Sequence, residues 1–264
     1  MKPFLRWAGS KAQLLPAIKP YWQPKYHRYV EPFCGSACLF FSIQPQAALL
    51  SDLNDELICT LAQVQVAADV IVECLHRMKT DKETYYQIRA IDPVTLSPNE
   101  RAARFIYLNT LCFNGLYRTN LSGQFNVPYG NRTRKYPFDP VMLREAGRLL
   151  GTAVLENSDF ESIVDQTKNG DFLYLDPPYA TGSQRIFSAY GKKVFSDADL
   201  MRLIDTLHRA ANRGVHFVLS YADVPEIQSL RKVWSSSEVM ARRNIAGFSD
   251  ARRKVKEILI TNCG

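Results

Sequence analysis

The residues best suited to chemistry form one tetrapeptide, Asp176-Pro177-Pro178-Tyr179. It directly follows the apolar run of residues 172–175, which is typical of a buried strand in a parallel sheet. Open α/β sheets bind ligands at the carboxyl ends of their strands. The two prolines restrict φ and donate no backbone hydrogen bond, so the turn is stiff. The tetrapeptide therefore suits a site that holds a carboxylate and an aromatic ring around a flat substrate. The alternative is a strand-ending turn with a capping aspartate.

Two strands near the start of the chain predict a nucleotide-binding unit. Residues 29–30 form a short apolar strand, and small residues at 35–37 open a helix over residues 38–43. Only Gly35 is a glycine there, so this is not the Gly-x-Gly-x-x-Gly dinucleotide fingerprint. A second strand over residues 48–50 ends at Asp52, and an acid at this place suits a ribose diol. Asn54 is predicted to cap a helix that runs to Val66.

The turn at Gly9-Ser10-Lys11 has two interpretations. Its backbone amides and ammonium could bind an anion. It could equally be the N-terminal cap of the helix-like segment that runs to about Ile18.

Residues 56–149 differ from the rest, because apolar residues recur there at helical spacing and strand-like alternation is absent. Ser97 with Glu100 predicts a capping box. The segment ends in loops rich in asparagine, glycine, arginine and aromatic residues. The sheet is predicted to resume over residues 153–156 and 158–160, then 172–175 and 215–220. A last strand over 255–261 is predicted at the edge or in a hairpin with 237–240.

Composition limits the class of protein. The chain has 264 residues and 46% hydrophobic content, which suits one α/β domain with a smaller insertion. The net charge of +7 favours a polyanionic partner, although proteins of similar charge also exist that bind no nucleic acid. The six cysteines form no Cys-x-x-Cys pair and the four histidines are scattered, so no metal is expected. We recognise no signal peptide and no stretch of about 18 apolar residues, and expect a cytoplasmic protein that contacts no membrane.

Taken in order, these motifs resemble the Dam-type (D12 class) DNA adenine methyltransferase family. The markers are FLRWAGSK, VEPFCGSA, the strand end at Asp52, FNGLYR with GQFNVPYG, and DPPY. The resemblance covers nearly the whole chain. It implies an α/β fold: a Rossmann-like methyltransferase sheet with helices on both faces, plus a helical target-recognition insertion. It also implies a catalytic domain at residues 1–55 and 146–264, and a recognition domain at residues 56–145.

The resemblance further implies that S-adenosyl-L-methionine donates a methyl group to the 6-amino nitrogen of adenine in double-stranded DNA, within GATC, by base flipping. Asp176 and the Pro177 carbonyl would accept hydrogen bonds from the amine, Pro178 would stiffen the turn, and Tyr179 would stack on the base. The donor pocket implied by the resemblance comprises Trp7, Lys11, Phe33, Gly35, Asp52, Asp159, Phe160 and Asp176.

The resemblance also implies a set of DNA-binding residues. Arg118 corresponds to a guanine-reading arginine, and Phe113 to a wedge beside the flipped base. The full set is Arg6, Phe113, Asn114, Leu116, Arg118, Pro128, Arg132, Arg134 and Lys135. For Arg132, Arg134 and Lys135, a loop that touches phosphates only is an equal alternative. A second basic set, at residues 242–254, is expected to clamp phosphates.

We thus expect an adenine methyltransferase that is a monomer in solution. Three alternatives remain open: the same chemistry at another or a relaxed sequence, a DNA-binding module without catalysis, and an RNA methyltransferase.

Overall fold

The computed structural model describes residues 1–120, 122–131, 137–180, 195–242 and 254–263, with the backbone alone at 241–242 and 254–255. Arg132, Arg134 and Lys135 therefore lie outside the described residues. So do most of the predicted phosphate clamp, namely residues 243–253, and the side chains of Arg242 and Lys254.

The seven described strands form one sheet in the order β3-β2-β1-β4-β5-β7-β6. Strands β1 to β5 are parallel, and β7 is antiparallel to both of its neighbours. The sequence order reverses between β1 and β4, so the carboxyl ends of these two strands border a crevice. The strands are β1 (Tyr29–Glu31), β2 (Ala48–Ser51), β3 (Ala153–Glu156), β4 (Phe172–Leu175), β5 (His216–Ala222), β6 (Ser235–Arg242) and β7 (Lys254–Thr261).

Helices cover both faces of this sheet. Alternate residues of β4 point to opposite sides: Phe172 and Tyr174 belong to one hydrophobic cluster, and Leu173 and Leu175 to another. The first cluster includes side chains of α1 to α6, and the second those of α7 to α9. The described helices are α1 (Leu15–Ile18), α2 (Cys38–Ile43), α3 (Asp55–His76), α4 (Lys82–Ala90), α5 (Pro98–Leu111), α6 (Pro140–Leu150), α7 (Phe160–Asp165), α8 (Asp197–Asn212) and α9 (Gln228–Val233).

Most element predictions are confirmed, and the polar caps explain why. Asn54 accepts from the Leu57 amide at the start of α3, and Ser97 with Glu100 forms the predicted capping box of α5. The prediction of strand at residues 158–160 is wrong. The Asp159 side chain instead accepts from the Glu161 amide and caps α7, which begins at Phe160.

The predicted helix end at Val66 falls directly before a kink within α3. The helix continues to His76, with a non-helical residue at Ala67 (φ −142°, ψ 35°). Within the described part of the chain, α3 alone is long and apolar enough to cross a membrane, judged by length and composition (mean hydropathy 1.6). The expectation that no stretch has this character is therefore wrong. Leu57, Leu61 and Val64 of α3 are buried in the cluster shared with α5 and α6, as in a core helix.

The last strand forms the predicted hairpin with β6, and it does not lie at the edge. It pairs with β5 on one side and β6 on the other, so β6 is the edge strand. The buried residues Ile258, Leu259 and Ile260 give β7 the two apolar faces of an interior strand.

Candidate active site

Asp176 follows the last residue of β4 and meets a buried cation. The Lys11 Nζ lies 3.2 Å from Asp176 Oδ1 and 3.0 Å from Glu257 Oε2. Lys11 comes from the turn before α1, and Glu257 from β7. The Asp176 side chain keeps 19% of its surface exposed. The carboxyl end of β4 therefore carries one ammonium between two carboxylates, and only Asp176 of the three retains appreciable exposure.

Burial and neighbouring charges shift the protonation of this group. Burial raises the pKa of Asp176 to about 7, an effect that Lys11 opposes and Glu257 increases. Burial lowers the pKa of Lys11, but Asp176, Tyr179 and Glu257 outweigh it, so that pKa lies above its usual value. Lys11 is thus a permanent cation, whereas Asp176 changes its charge near neutral pH.

Tyr179 is anchored by its hydroxyl group. The hydroxyl donates to Glu257 Oε1 at 2.7 Å, and Lys11 Nζ donates to the same hydroxyl at 3.4 Å. The ring lies 5.4 Å from that of Tyr221, whose hydroxyl accepts from the Ala180 amide. The tetrapeptide is therefore held at both ends, by Lys11 at Asp176 and by Glu257 at Tyr179. Pro177 between them is buried and Pro178 half-buried.

A second group of predicted residues surrounds the turn after β1. Asp52 accepts from the Gly35 amide at 3.1 Å and from the Asn54 amide at 2.9 Å. Gly35 has φ +47°, and a Cβ there would lie 2.6 Å from Cδ1 of the Trp7 indole. Two features therefore require glycine at position 35: its positive φ and the close approach of the indole. Burial raises the pKa of Asp52 to about 6, and the amide hydrogen bonds oppose that rise. The structure brings Trp7, Gly35 and Asp52 together.

The predicted adenine-binding residues form an aromatic group beside an ion pair. Phe33 and Phe160 stack with ring centroids 5.4 Å apart, and Phe195 lies 6.1 Å from each. The Arg202 guanidinium lies over the Phe160 ring at 4.9 Å and donates to Asp159 Oδ1 at 2.7 Å. Asp159 is therefore engaged by an arginine of α8 that the sequence did not identify.

The two halves of the predicted recognition loop pair with each other. Backbone bridges join Cys112 to Tyr129 and Thr119 to Phe125, and the Phe113 amide donates to the Pro128 carbonyl at 2.8 Å. We call residues 112–130 the recognition hairpin; Leu121 within it lies outside the described residues. The hairpin continues directly from α5, whose buried face fixes its base.

Arg6 is attached to this hairpin although it lies far away in sequence. Asn109 of α5 accepts from the Arg6 amide at 2.9 Å and donates to the Arg6 carbonyl at 2.8 Å. The Arg6 side chain lies against Gly115 (φ +66°), where a Cβ would come within 2.3 Å of Arg6 Cδ. Trp7 continues the contact by stacking on Tyr117 at 5.3 Å. The start of the chain thus joins the hairpin to the turn after β1.

The predicted base-contacting side chains of the hairpin face outward to differing degrees. Phe113 is 43% exposed, Asn114 and Pro128 are exposed, and Leu116 is half-buried. Arg118 is half-buried, and its Nε donates to Asn126 Oδ1 at 2.9 Å.

Four residues near these groups were missed by the sequence reasoning: Asn109, Phe195, Arg202 and Glu257. Glu257 directly precedes three consecutive apolar residues of a predicted strand, residues 258–260, which was a usable signal. Asn109 and Arg202 carry no such signal, because both lie in ordinary amphipathic helices. Among the described residues, no group of three or more histidine, cysteine, aspartate or glutamate side chains could hold a metal ion.

A family model and several relatives match nearly the whole chain. The sequence profile described as "D12 class N6 adenine-specific DNA methyltransferase" matches residues 7–245. Type II methyltransferase M1.LlaDCHI of Lactococcus lactis subsp. cremoris is 36% identical, over 100% of this chain and 96% of that protein. Type II methyltransferase M.MjaIII of Methanocaldococcus jannaschii is 33% identical, over 99% of each. The DNA adenine methylase of Escherichia coli K12 is 30% identical, over 98% of this chain and 94% of that protein.

Proposed function

Because the chain belongs to the D12 class of N6 adenine-specific DNA methyltransferases, we propose that it methylates the 6-amino nitrogen of adenine within GATC in duplex DNA. DNA methyltransferases of this family use S-adenosyl-L-methionine as methyl donor. The observation that carries the proposal is Asp176, at the carboxyl end of β4 with Lys11 at 3.2 Å. The seven-stranded sheet is then the Rossmann-like catalytic domain, and residues 56–145 are the recognition domain, of a cytoplasmic monomer.

The chemistry requires an acceptor for the amine. The lone pair of an exocyclic amine is delocalised into the ring, so the nitrogen is a poor nucleophile. In the proposed complex, the Asp176 carboxylate and the Pro177 carbonyl each accept a hydrogen bond from one N–H group of the amine. These two hydrogen bonds favour a tetrahedral nitrogen. The donor supplies an electrophilic methyl group on a sulfonium. The nitrogen–carbon bond forms as the sulfur–carbon bond breaks, and the surplus amine proton passes to water or to Asp176.

The donor pocket is supported by the groups around Asp52. The Gly35 and Asn54 amides donate hydrogen bonds to the two Asp52 carboxylate oxygens and so fix their orientation. This arrangement suits two ribose hydroxyls. The stacked pair Phe33 and Phe160 offers a flat apolar site for an adenine ring. Trp7 and Lys11 would close the pocket on the side of the chain start. Asp159, which already accepts from Arg202, would meet the donor's adenine amine.

Base flipping is proposed because an adenine amine inside a stacked duplex cannot reach the half-buried Asp176 carboxylate at the end of β4. The exposed Phe113 ring is suited to fill the vacated space, and the anchored Tyr179 ring to stack on the extruded base. Arg118 would read a guanine through its remaining guanidinium nitrogens while Asn126 holds Nε. Arg6, Asn114, Leu116 and Pro128 would contact neighbouring bases. Arg132, Arg134 and Lys135 would bind the same DNA.

Single-molecule sequencing of a methyl-free plasmid, after incubation with protein and donor, tests this function. Methylation at GATC alone supports the full proposal. Methylation at other sequences retains the chemistry and removes the GATC assignment. No methylation, with retained DNA binding, would identify a silent DNA-binding module. A parallel assay on structured RNA tests the RNA alternative, and Asp176→Ala protein prepared in the same way excludes a contaminating enzyme.

A further inference from the structure

Glu257 is a buried carboxylate in the sheet. It lies in β7 opposite Ala222 of β5 and Val239 of β6, and it is only 2% exposed. A carboxylate in such a place is costly unless it is fully paired.

Its two oxygens have polar partners on three other elements. Oε1 accepts from the Tyr179 hydroxyl at 2.7 Å and from Lys11 Nζ at 3.1 Å. Oε2 lies 3.0 Å from Lys11 Nζ and accepts from Ser220 Oγ at 3.3 Å. Two of these partners, Lys11 and Tyr179, are residues of the candidate active site. A purely structural ion pair would not require that both partners belong to the site.

We propose that Glu257 is a positioning residue, which orients the Tyr179 ring and takes up part of the Lys11 charge that would otherwise act on Asp176 alone. This inference rests on the proposed function of Asp176 and Tyr179. It adds a residue of β7 to a site built from the carboxyl ends of β1, β2 and β4.

The charges around Asp176 give the proposal its direction. The groups that interact with it electrostatically are Lys11 before α1, Glu31 of β1, Cys38 of α2, Tyr174 of β4 and Glu257 of β7. Lys11 is the cation among them, and it has two carboxylates as ion-pair partners. If Glu257 becomes neutral, Lys11 keeps Asp176 as its one anionic partner, and Asp176 loses a repelling charge. Both changes favour the ionised form of Asp176.

The experiment compares Glu257→Gln with Glu238→Gln. Glutamine keeps the size and an acceptor oxygen but removes the charge. Glu238 on the neighbouring strand β6 is 54% exposed and pairs with Lys256, so it controls for a charge change in the same hairpin. Two quantities are measured for each protein: kcat for methyl transfer against pH, and the NMR titration of the Asp176 carboxyl carbon without substrates.

For Glu257→Gln we expect the midpoint of the acidic limb of kcat and the Asp176 titration to move together to lower pH. We also expect kcat at its plateau to fall about tenfold, the scale of one hydrogen bond to a charged group, with KM for the donor little changed. Glu238→Gln should match the wild type in both measurements.

Other outcomes overturn the inference. Unchanged kcat and titration in Glu257→Gln would show that neither Tyr179 nor Asp176 depends on Glu257. A lower kcat and a lower melting temperature with an unmoved titration would show a structural role alone. An inactive wild-type protein would instead contradict the proposed function, and the NMR titration would still decide whether Glu257 acts on Asp176.

The route through Tyr179 has its own test. Tyr179→Phe removes the hydroxyl that donates a hydrogen bond to Glu257. We expect kcat to fall by a factor similar to that for Glu257→Gln. If Glu257 acts through that hydroxyl, the double variant should lose less than the product of the two single losses. Fully multiplicative losses would remove the Tyr179 part of the proposal.

Discussion

The carboxyl end of β4 and the recognition hairpin hold their polar groups in different ways. At β4, side chains bind side chains: Lys11 lies between Asp176 and Glu257, and Tyr179 donates to Glu257. In the hairpin, backbone bridges join Cys112 to Tyr129 and Thr119 to Phe125, while several side chains stay exposed.

The difference has a physical reason. A group that must meet developing charge is most effective when it is preorganised and shielded from water. A group that must read a base edge has to remain accessible, so its rigidity has to come from the backbone beneath it. The two regions meet at the chain start, where Arg6 contacts Gly115 and Trp7 contacts Gly35. Variants of each region should therefore fail in separable ways.

The largest effect is expected for Asp176→Ala. Loss of this acceptor should raise the activation free energy for kcat by about 3 kcal/mol or more, the scale of one preorganised polar contact. Binding of duplex DNA should persist, because the hairpin does not depend on Asp176. Rate measurements and a DNA-binding titration on the same protein check this. Near-normal turnover would remove Asp176 from the mechanism.

Asp52→Ala should act on the donor and not on DNA. We expect donor affinity to fall by about 1.5–3 kcal/mol, since hydrogen bonds to a charged group are lost. Calorimetry with the donor measures this loss. The control is Asp55→Ala, whose side chain is 64% exposed and pairs with Arg101. Equal donor affinity in both variants would contradict the assignment of Asp52.

Arg118→Ala should change which sequence is preferred more than whether DNA is methylated. We expect a loss of about 1–3 kcal/mol on the cognate duplex and relaxed discrimination at one base pair. The measurement is kcat/KM on duplexes that each carry one substituted base pair beside the target adenine. Arg144→Ala, which removes a surface arginine paired with Asp69, is the control. If Arg118→Ala keeps the wild-type ranking of duplexes, the arginine does not read a base.

Gly115→Ala should have a smaller effect confined to the hairpin. The positive φ and the collision with Arg6 predict a cost of about 1 kcal/mol, seen as weaker cognate DNA binding with donor affinity intact. Gly123→Ala near the tip of the hairpin is the control, because Gly123 shares a positive φ of +81°. Equal losses in the two variants would show that backbone strain, and not the Arg6 contact, is responsible.

The pH dependence should separate activity from stability, because the two should move in opposite directions. Burial raises the pKa of Asp176 to about 7 and that of Asp52 to about 6, both from a usual value of 3.8. Between the usual pKa of 3.8 and these raised values, the folded protein binds more protons than the unfolded chain. The two carboxyl groups therefore add stability as the pH falls from about 7 to about 5.

The rate should decrease over the same interval, because Asp176 loses its charge. Glu100 and Glu161, whose pKa values are lowered by hydrogen bonds from Ser97 and from Arg209 and Arg202, lose their stabilising contribution only below this interval. Melting temperature and kcat measured across it check the opposition, with Asp176→Asn as control. A melting temperature that falls in parallel with the rate would contradict it.

Local sequence determined most of the elements. The strand at Phe172–Leu175 and the helix at Cys38–Ile43 were predicted with their observed bounds, because apolar runs, small residues and turn residues act over a few positions. The Ser97 capping box was readable for the same reason. The family resemblance also located Trp7, Gly35, Asp52 and Asp176, which the structure brings to one side of the sheet.

Only the tertiary structure decided which charges meet. Lys11 and Glu257 are 246 positions apart, and Arg6 and Asn109 are 103 apart, so neither pairing leaves a local pattern in the sequence. The antiparallel insertion of β7 between β5 and β6 carries Glu257 under Tyr179. Likewise, the packing of α8 on α7 carries Arg202 to Asp159. Such contacts depend on strand order and helix packing, which are set by the burial of both sheet faces and not by the residues that meet.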